Sequence, residues 1–442
     1  MVLYEIRDFR TPFMKKKKKS PWPVFIAIAL AVIIGNLTGS TAGLFGITFY
    51  SIYEIIGDLF INALTLVVVP LVSSSIITGI ARIGNDASFG RLGAKMFGFY
   101  FGTSILAILI GLLFVNLIQP GINEAHLATG TIENASVSQV HQSISSQQSP
   151  KLTSILFQMV PSNVVAAFSQ GNMLGLIFFS LIFGYCLSKI EKGPSETLFS
   201  FWNGVFQTMI KFTHVIMKFL PIGVFCLVAK VFAVTGLESL KSVGLFFISV
   251  LLGLAAFTFI ALPLLLKFIA KVNPIRHFQA MAPALITAFS TSSSSATLPI
   301  TIDCVEKRAG VSNKICSLVI PLGTSINMSG SALYECVAAM FVAQVYGIEI
   351  SFTTQFLVVL LSLITSIGVA GIPAASLVAL IVILKALGLP AEGIGLFIAV
   401  DRILDMCRTT VNVFSDSCCA ILVAKTEGEK NVLTKTNFAE AE

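Results

Sequence analysis

The stretch DRILDMCRTTVNVFSDSCCAILVA, residues 401–424, sets charged groups into an apolar run. Asp401, Asp405, Arg408, Asn412 and Asp416 follow one another at intervals of four, three, four and four residues. A helix turns by about 100° per residue, so all five fall within roughly 80° of one face. Ile403, Met406, Cys407 and Phe414 take the opposite face. Ionisable groups buried in a membrane are costly, and by default they mark a pathway or a binding site. The plainer alternative is an internal ion pair, because Asp405 and Arg408 stand at i, i+3. That alternative leaves Asn412 and Asp416 without a role.

The rest of the chain makes the surroundings of this helix a membrane. Only 12% of the 442 residues are charged, against about 25% in soluble domains, and the mean hydropathy is +0.89. Residues 242–266 and 350–384 carry no charged side chain, and each run exceeds the roughly 18 residues that mark a transmembrane helix. Long continuous apolar runs, rather than short alternating ones, point to helices and away from a barrel. The net charge of +7 is mostly topology. MKKKKK (14–19) precedes the first span and is expected in the cytoplasm, with anionic lipid as a secondary contact. No aromatic-interleaved basic domain follows it, so no nucleic-acid partner is expected. The eight cysteines are scattered without a CxxC, and the four histidines form no HExxH. A metal centre or a disulfide framework is therefore not expected.

Six spans are read over about 22–37, 47–80, 97–118, 152–187, 199–234 and 243–269, with Pro70 a candidate kink in the second. Lys and Arg return to one side at each even turn, which supports the count. The polar segment from about 119 to 149 has no Lys or Arg and is expected outside; it includes the sequon at Asn134. From Pro274 the pattern changes. TSSSSATLP (291–299), NMSGSALYE (327–335) and SIGVAGIPAAS (366–376) interrupt apolar runs. The first has basic flanks at both ends and the third external-type flanks, so each reads as a re-entrant hairpin, one from each face. Irregular backbone at that depth is tolerated only where it lines a cavity or is buried in protein. Two such hairpins, each followed by a polar-interrupted helix, form an inverted repeat that points to a midplane transport site.

The residue types fit one kind of cargo. Arg408 offers a planar fork to a carboxylate, and Asp405 suits an ammonium group. The serine run, with no GxSxG and no nearby histidine, does not read as a nucleophile. It offers hydroxyls and free amides to a second carboxylate, with helix packing by small residues as the alternative. An acidic amino acid carries all three groups. Asn327 to Gly330 read as an unwound helix segment, with Gly330 permitting the departure. Glu335 follows one to two turns later. Desolvation favours the neutral form of a lone buried carboxyl group, which makes Glu335 a candidate proton carrier.

SSSSATLPIT, NMSGSALYE, SIGVAGIP and LDMCRTTVNVFSD together resemble signature segments of the glutamate/aspartate transporter family, the dicarboxylate/amino acid:cation symporters. The resemblance is specific from about 274 to 425 and weaker elsewhere. It implies an all-α polytopic membrane protein with eight transmembrane helices, two re-entrant helical hairpins and inverted repeats, working as an elevator-type transporter in a homotrimer. It implies a scaffold over 21–95 and 152–235, and a transport domain over 96–118 and 236–425. Residues 1–20 are expected as a cytoplasmic basic N-terminus, 119–151 as an extracellular loop and 426–442 as a cytoplasmic tail. The short polar termini point to a bacterial inner membrane.

Position by position, the resemblance implies that Arg408 binds the substrate side-chain carboxylate and Asp405 its amino group, with Thr409, Asn412 and Ser331 as further contacts. Ser293, Ser294 and the backbone at Ile372 match contacts to the main-chain carboxylate. Gly323, Asn327, Asn412 and Asp416 resemble one sodium site, and Ser325, Ser366 and Ile367 a second. Tyr100, Thr103, Ser104 and Asn327 resemble a third. Sodium and protons are the implied coupling ions, with no organic cofactor and no enzymatic activity. The family usually has an aspartate where this chain has Ser329. A second family arginine is absent, with Ser292 and Met406 in its two customary places. Arg402, one helical turn before Asp405, is the candidate substitute. The nearest alternatives are a C4-dicarboxylate:cation symporter of the same fold, disfavoured because such cargo has no ammonium for Asp405, and a neutral amino acid transporter, disfavoured because Arg408 would lack a partner. An anion channel is opposed by the buried acids.

Overall fold

The computed structural model describes residues 22–44, 46–84, 90–122, 160–170, 172–235, 239–347, 351–368 and 375–434. The basic N-terminal run, the sequon at Asn134, the hairpin tip with Ile372 and the last residues of the tail lie outside them. The described chain is helical apart from one short antiparallel strand pair, Gly43–Leu44 with Ile47–Thr48. In chain order the first helices are α1 (Trp22–Thr38), α2 (Phe49–Gly84), α3 (Gly90–Ile118), α4 (Val164–Gln170), α5 (Met173–Leu187), α6 (Lys192–Ile216) and α7 (Leu220–Thr235). α8 (Ser239–Ala256) runs through a π-helical turn, Phe257–Ala261, into α9 (Leu262–Phe268). Among the described residues, four stretches are long and apolar enough to cross a membrane: Phe49–Ala81, Leu92–Ile118, Lys241–Phe268 and Asn313–Val345.

Two expected spans are not single helices. Over the described part of 152–187, the chain breaks between α4 and α5, where Asn172 caps α5 by accepting from the Gly175 amide at 3.2 Å. Asparagine suits this position because its side-chain oxygen satisfies an amide that has no intrahelical partner. The span read over 199–234 is the pair α6 and α7, bent by 61°. Pro221 stands in the first turn of α7, where its missing N–H leaves no intrahelical bond unmade. Pro70, by contrast, lies inside α2 without ending it.

A packed helix pair stands at each place where a hairpin is expected, with residues 369–374 of the second outside the described chain. The first is α10 (Pro274–Thr291) against α11 (Ser294–Asp303), which continues through a π-helical turn, Cys304–Arg308. Asn273 caps α10 with its side chain on the Ile275 amide, and Pro274 takes the first helical position, as helix-start chemistry favours. The second is α14 (Phe352–Gly368) against α15 (Ala375–Ala386). Between the hairpins, α12 (Asn313–Ile326) and α13 (Ser329–Val345) form one interrupted span, every residue of whose most apolar stretch is buried inside the protein. A short 3-10 helix, Ala391–Leu396, leads into α16 (Ile398–Thr426), which carries the charged stripe.

α13 is the hub, touching α3, α8, α14, α15 and α16. At its crossing with α3, a Cβ on Gly111 would come within 2.9 Å of Leu333 Cγ, a close approach that a small residue allows. An aromatic cluster of Phe246, Phe341 and Phe397, with centroids 4.9–6.1 Å apart, supports one end of α13. After α16 the chain reverses at Gly428, where φ is +93°. Val432 and Leu433 are buried there. The Leu433 amide donates to the Ala309 carbonyl at 2.8 Å, and Arg276 donates to the Leu433 carbonyl at 3.3 Å. Residues 427–434 therefore pack across both feet of the first hairpin rather than hanging free. Leu433→Ala is expected to cost about 2–5 kcal/mol, the usual range for a buried leucine, read as a lower unfolding temperature in detergent.

Candidate functional site

A cavity of about 360 Å³ opens where the first hairpin's tip meets the charged face of α16. Ser293, Ser294, Ser331, Asp405, Thr409 and Asn412 line it, with Asp401, Arg402 and Ser376. His214, Met217, Leu220 and Val224 of the bent α6–α7 pair close the other side.

The serine run serves the backbone before it serves any ligand. Ser292 is the left-handed turn between α10 and α11, with φ +48°, a conformation that costs an L residue about 1–2 kcal/mol. Ser293 caps α11, its Oγ accepting from the Ala296 amide at 3.2 Å. The start of α11 at Ser294 then faces the cavity, so amides at a helix N-terminus stand where an anion would enter.

Beside it, α16 carries the ion pairs. The Arg408 guanidinium lies 3.1 Å from Asp401 Oδ1 through Nη1 and 3.1 Å from Asp405 Oδ1 through Nη2. The Asp405 contact is a hydrogen bond; the Asp401 contact lacks the alignment of one, and Nη1, Nε and Asp401 Oδ1 have no hydrogen-bond partner among the described residues. The face of the guanidinium stacks 3.8 Å from the Tyr334 ring centroid, a favourable arrangement for a desolvated arginine. Arg408 does not line the cavity; Asp401 and Asp405 stand between. The second oxygen of Asp405, Oδ2, accepts from Arg402 Nη1 at 3.3 Å.

Asn327 organises a second polar group deeper in the protein. α12 ends at Ile326, and Asn327 and Met328 leave the helix with ψ of 73° and 55° before α13 begins. The Asn327 Oδ1 accepts from Ser329 at 2.9 Å and from Thr103 and Ser104 at 3.3 Å. Its Nδ2 donates to Asp416 Oδ1 at 3.0 Å and to Ser415 Oγ at 3.2 Å. Tyr100 donates to the Val319 carbonyl. At Gly323 an added Cβ would meet Asp416 Oδ1 at 2.6 Å. Tyr100, Thr103, Ser104, Gly323, Asn327 and Asp416 thus come together.

Asn412 faces elsewhere. Its Oδ1 accepts from the Gly330 amide at 2.8 Å and its Nδ2 donates to Ser331 Oγ at 3.1 Å. Ser325 is exposed, while Ser366 is buried and donates to the Leu363 carbonyl at 2.9 Å; the helices that carry them, α12 and α14, touch, with no hydrogen bond between the two serines among the described residues. Glu335 is buried at the α13–α14 contact, where its Oε2 accepts from Thr365 at 2.8 Å and its Oε1 has no partner among the described residues.

Gly330 has a different task from the one its sequence context suggests. It lies in the first turn of α13, and the departure belongs to Asn327 and Met328. A Cβ at 330 would stand 2.9 Å from the Arg408 carbonyl oxygen. The glycine lets α13 pack directly onto α16. Asp401 and Tyr334 are the two residues to which the sequence reading gave no task. Asp401 stands seven positions, two helical turns, before Arg408, a signal that the stripe already held. Tyr334 has no such signal, because its partner lies on another helix.

The family model described as the sodium:dicarboxylate symporter family matches residues 22–426. The chain belongs to that family: it is a membrane symporter by descent and not an enzyme. It is 35% identical over 412 residues to the proton/sodium-glutamate symport protein of Bacillus caldotenax, an alignment covering 93% of this chain and 95% of that one. It is 32% identical over 406 residues to the proton/glutamate-aspartate symporter of Escherichia coli K12, covering 92% of each. Excitatory amino acid transporter 3 of Homo sapiens is 34% identical over 463 residues, covering 93% of this chain and 86% of that one.

Gly330→Ala is expected to push α13 off α16 and break the bond from the Gly330 amide to Asn412. The measurement is thermal unfolding in detergent. The variant should melt earlier, by an amount equivalent to about 1–3 kcal/mol.

Proposed function

We propose that this protein is a secondary active symporter that takes up L-glutamate and L-aspartate, coupled to sodium, to protons or to both. One observation carries the reading: Asp405 and Arg408 stand side by side on α16 next to a cavity whose far wall is a serine-rich helix start. Asp405 suits the ammonium group, Arg408 the side-chain carboxylate, and Ser293, Ser294 and the hairpin amides the main-chain carboxylate, with Ser331, Thr409 and Asn412 alongside. The names of the two bacterial relatives support the same cargo and the same ions. A C4-dicarboxylate would leave Asp405 without its ammonium.

Coupling is required on electrical grounds. Importing one net negative charge against about 100 mV, inside negative, costs roughly 2.3 kcal/mol. Two monovalent cations travelling with it reverse the sign. Sodium is assigned to three sites: Gly323, Asn327, Asn412 and Asp416; the Ser325, Ser366 and Ile367 backbone; and Tyr100, Thr103, Ser104 and Asn327. The proton is assigned to Glu335. Ser329 occupies one of the Asn327 contacts with a neutral hydroxyl, which lowers the negative charge available to a cation there.

The architecture proposed is a homotrimer of eight-span protomers in a cell membrane, with both termini cytoplasmic. Residues 21–95 and 152–235 form the scaffold, and 96–118 with 236–425 the moving elevator.

The deciding experiment is uptake of labelled glutamate and aspartate into proteoliposomes, with sodium and pH gradients imposed separately. Asp405→Ser is expected to abolish aspartate uptake, and unchanged uptake would refute the assignment. Glu335→Gln is expected to remove the stimulation by an inwardly directed proton gradient while leaving sodium-driven uptake; a variant still accelerated by external acid would show that the proton travels elsewhere.

A further inference from the structure

Four charged side chains of α16 form a closed set: Asp401, Arg402, Asp405 and Arg408, with net charge zero. Their exposures differ in a way that bears on how an anion is first met. The Arg408 side chain is 2% exposed, screened by two carboxylates and backed by Tyr334. The Arg402 side chain is 31% exposed. Among the described residues that line the cavity, Arg402 is the one arginine or lysine. A cargo with two carboxylates entering the cavity therefore meets Arg402 before it can reach Arg408.

Asp405 sits between the two guanidinium groups, with Oδ1 bonded to Arg408 and Oδ2 bonded to Arg402. An acidic amino acid has the matching sequence of charges: the ammonium in the middle, the main-chain carboxylate bonded to the same carbon, and the side-chain carboxylate further off. We propose that Arg402 is a substrate-binding residue that takes the main-chain carboxylate by exchanging partners. Its guanidinium leaves Asp405 Oδ2 for that carboxylate, and the cargo ammonium replaces it on Asp405. At no stage is a charge of the set left without an opposite neighbour, so the exchange avoids the penalty of an unpaired ion in a low-dielectric site. Ser293 and Ser294 share the same carboxylate from the hairpin side. The part-exposed side chain of Arg402, with one ion-pair partner, makes it the mobile member, while Arg408, held on three sides, is the fixed one. This assignment rests on the proposed acidic amino acid cargo.

The test uses the full-length protein in proteoliposomes. Uptake of labelled L-glutamate is competed by unlabelled L-glutamate and by L-isoglutamine, in which the main-chain carboxylate is a neutral amide. In the unmodified protein isoglutamine should compete at least tenfold more weakly than glutamate. Arg402→Gln should raise the KM for glutamate about tenfold or more with a smaller effect on the maximal rate. It should also bring the two competitors to within about twofold of each other, because the charged group that favours a carboxylate over a neutral amide is gone, and the serine hydroxyls bond either. Arg402→Lys should restore part of the discrimination. If Arg402→Gln weakens glutamate and isoglutamine in parallel and the ratio stays at its original value, Arg402 only positions Asp405 and the assignment is overturned. If the unmodified protein fails to take up either acidic amino acid, the cargo assignment itself has failed, a result distinguishable from the first by the absence of any baseline uptake.

Discussion

A guanidinium enclosed on α16 constrains everything packed around it. Withdrawing Arg408 from water costs several kcal/mol unless its charge is met at close range. Asp401 and Asp405 meet it along the same helix, and Tyr334 offers the face of a π system. Each partner then imposes its own demand. Tyr334 has to be held in place, and it packs edge-on against Phe246 and Phe397. α13, which bears it, has to lie directly on α16, and the absence of a side chain at Gly330 allows that approach. Remove the arginine and Asp401 loses its cation, while Asp405 keeps only Arg402.

The second constraint is the supply of polar backbone inside an apolar medium. Both polar regions are built at helix interruptions. The first hairpin turns at Ser292 and restarts at Ser293, which presents the start of α11 to the cavity. The span of α12 and α13 breaks at Asn327 and Met328. Buried polar backbone of this kind persists only where side chains or protein complete its bonds. At this break the Asn327 side chain bonds hydroxyls on α3 and α13 and Asp416 and Ser415 on α16. The same residue therefore ties three helices together at the point where one of them is discontinuous.

Much of this arrangement was legible in the chain as written. The four-three-four-four spacing puts Asp401, Asp405, Arg408, Asn412 and Asp416 on one face, and the structure keeps those groups on that face. The serine run and the NMSGSALYE interruption fall where the helices break. What the spacing could not give is the direction of each side chain across the helix boundary. Asn412 belongs by register to the same stripe as Asp416, yet its amide is spent on Gly330 and Ser331. Gly330 reads as a backbone hinge beside an asparagine, because glycine's two uses, freedom of φ and lack of volume, look alike in sequence. The bend between α6 and α7 was hidden because both arms are apolar enough to pass as one span.

By itself the sequence determined the class of environment, the number of interruptions after residue 274 and the charged face of the last helix, because hydropathy and helical period are local properties. Only the tertiary structure decided which of those charges are enclosed and which are reachable. Enclosure depends on what the neighbouring helices bring to the same point: Tyr334 from α13 over Arg408, Ser293 from the first hairpin across the cavity, and open space in front of Arg402. Contacts between residues on different helices, far apart in the chain, are not written in any local period.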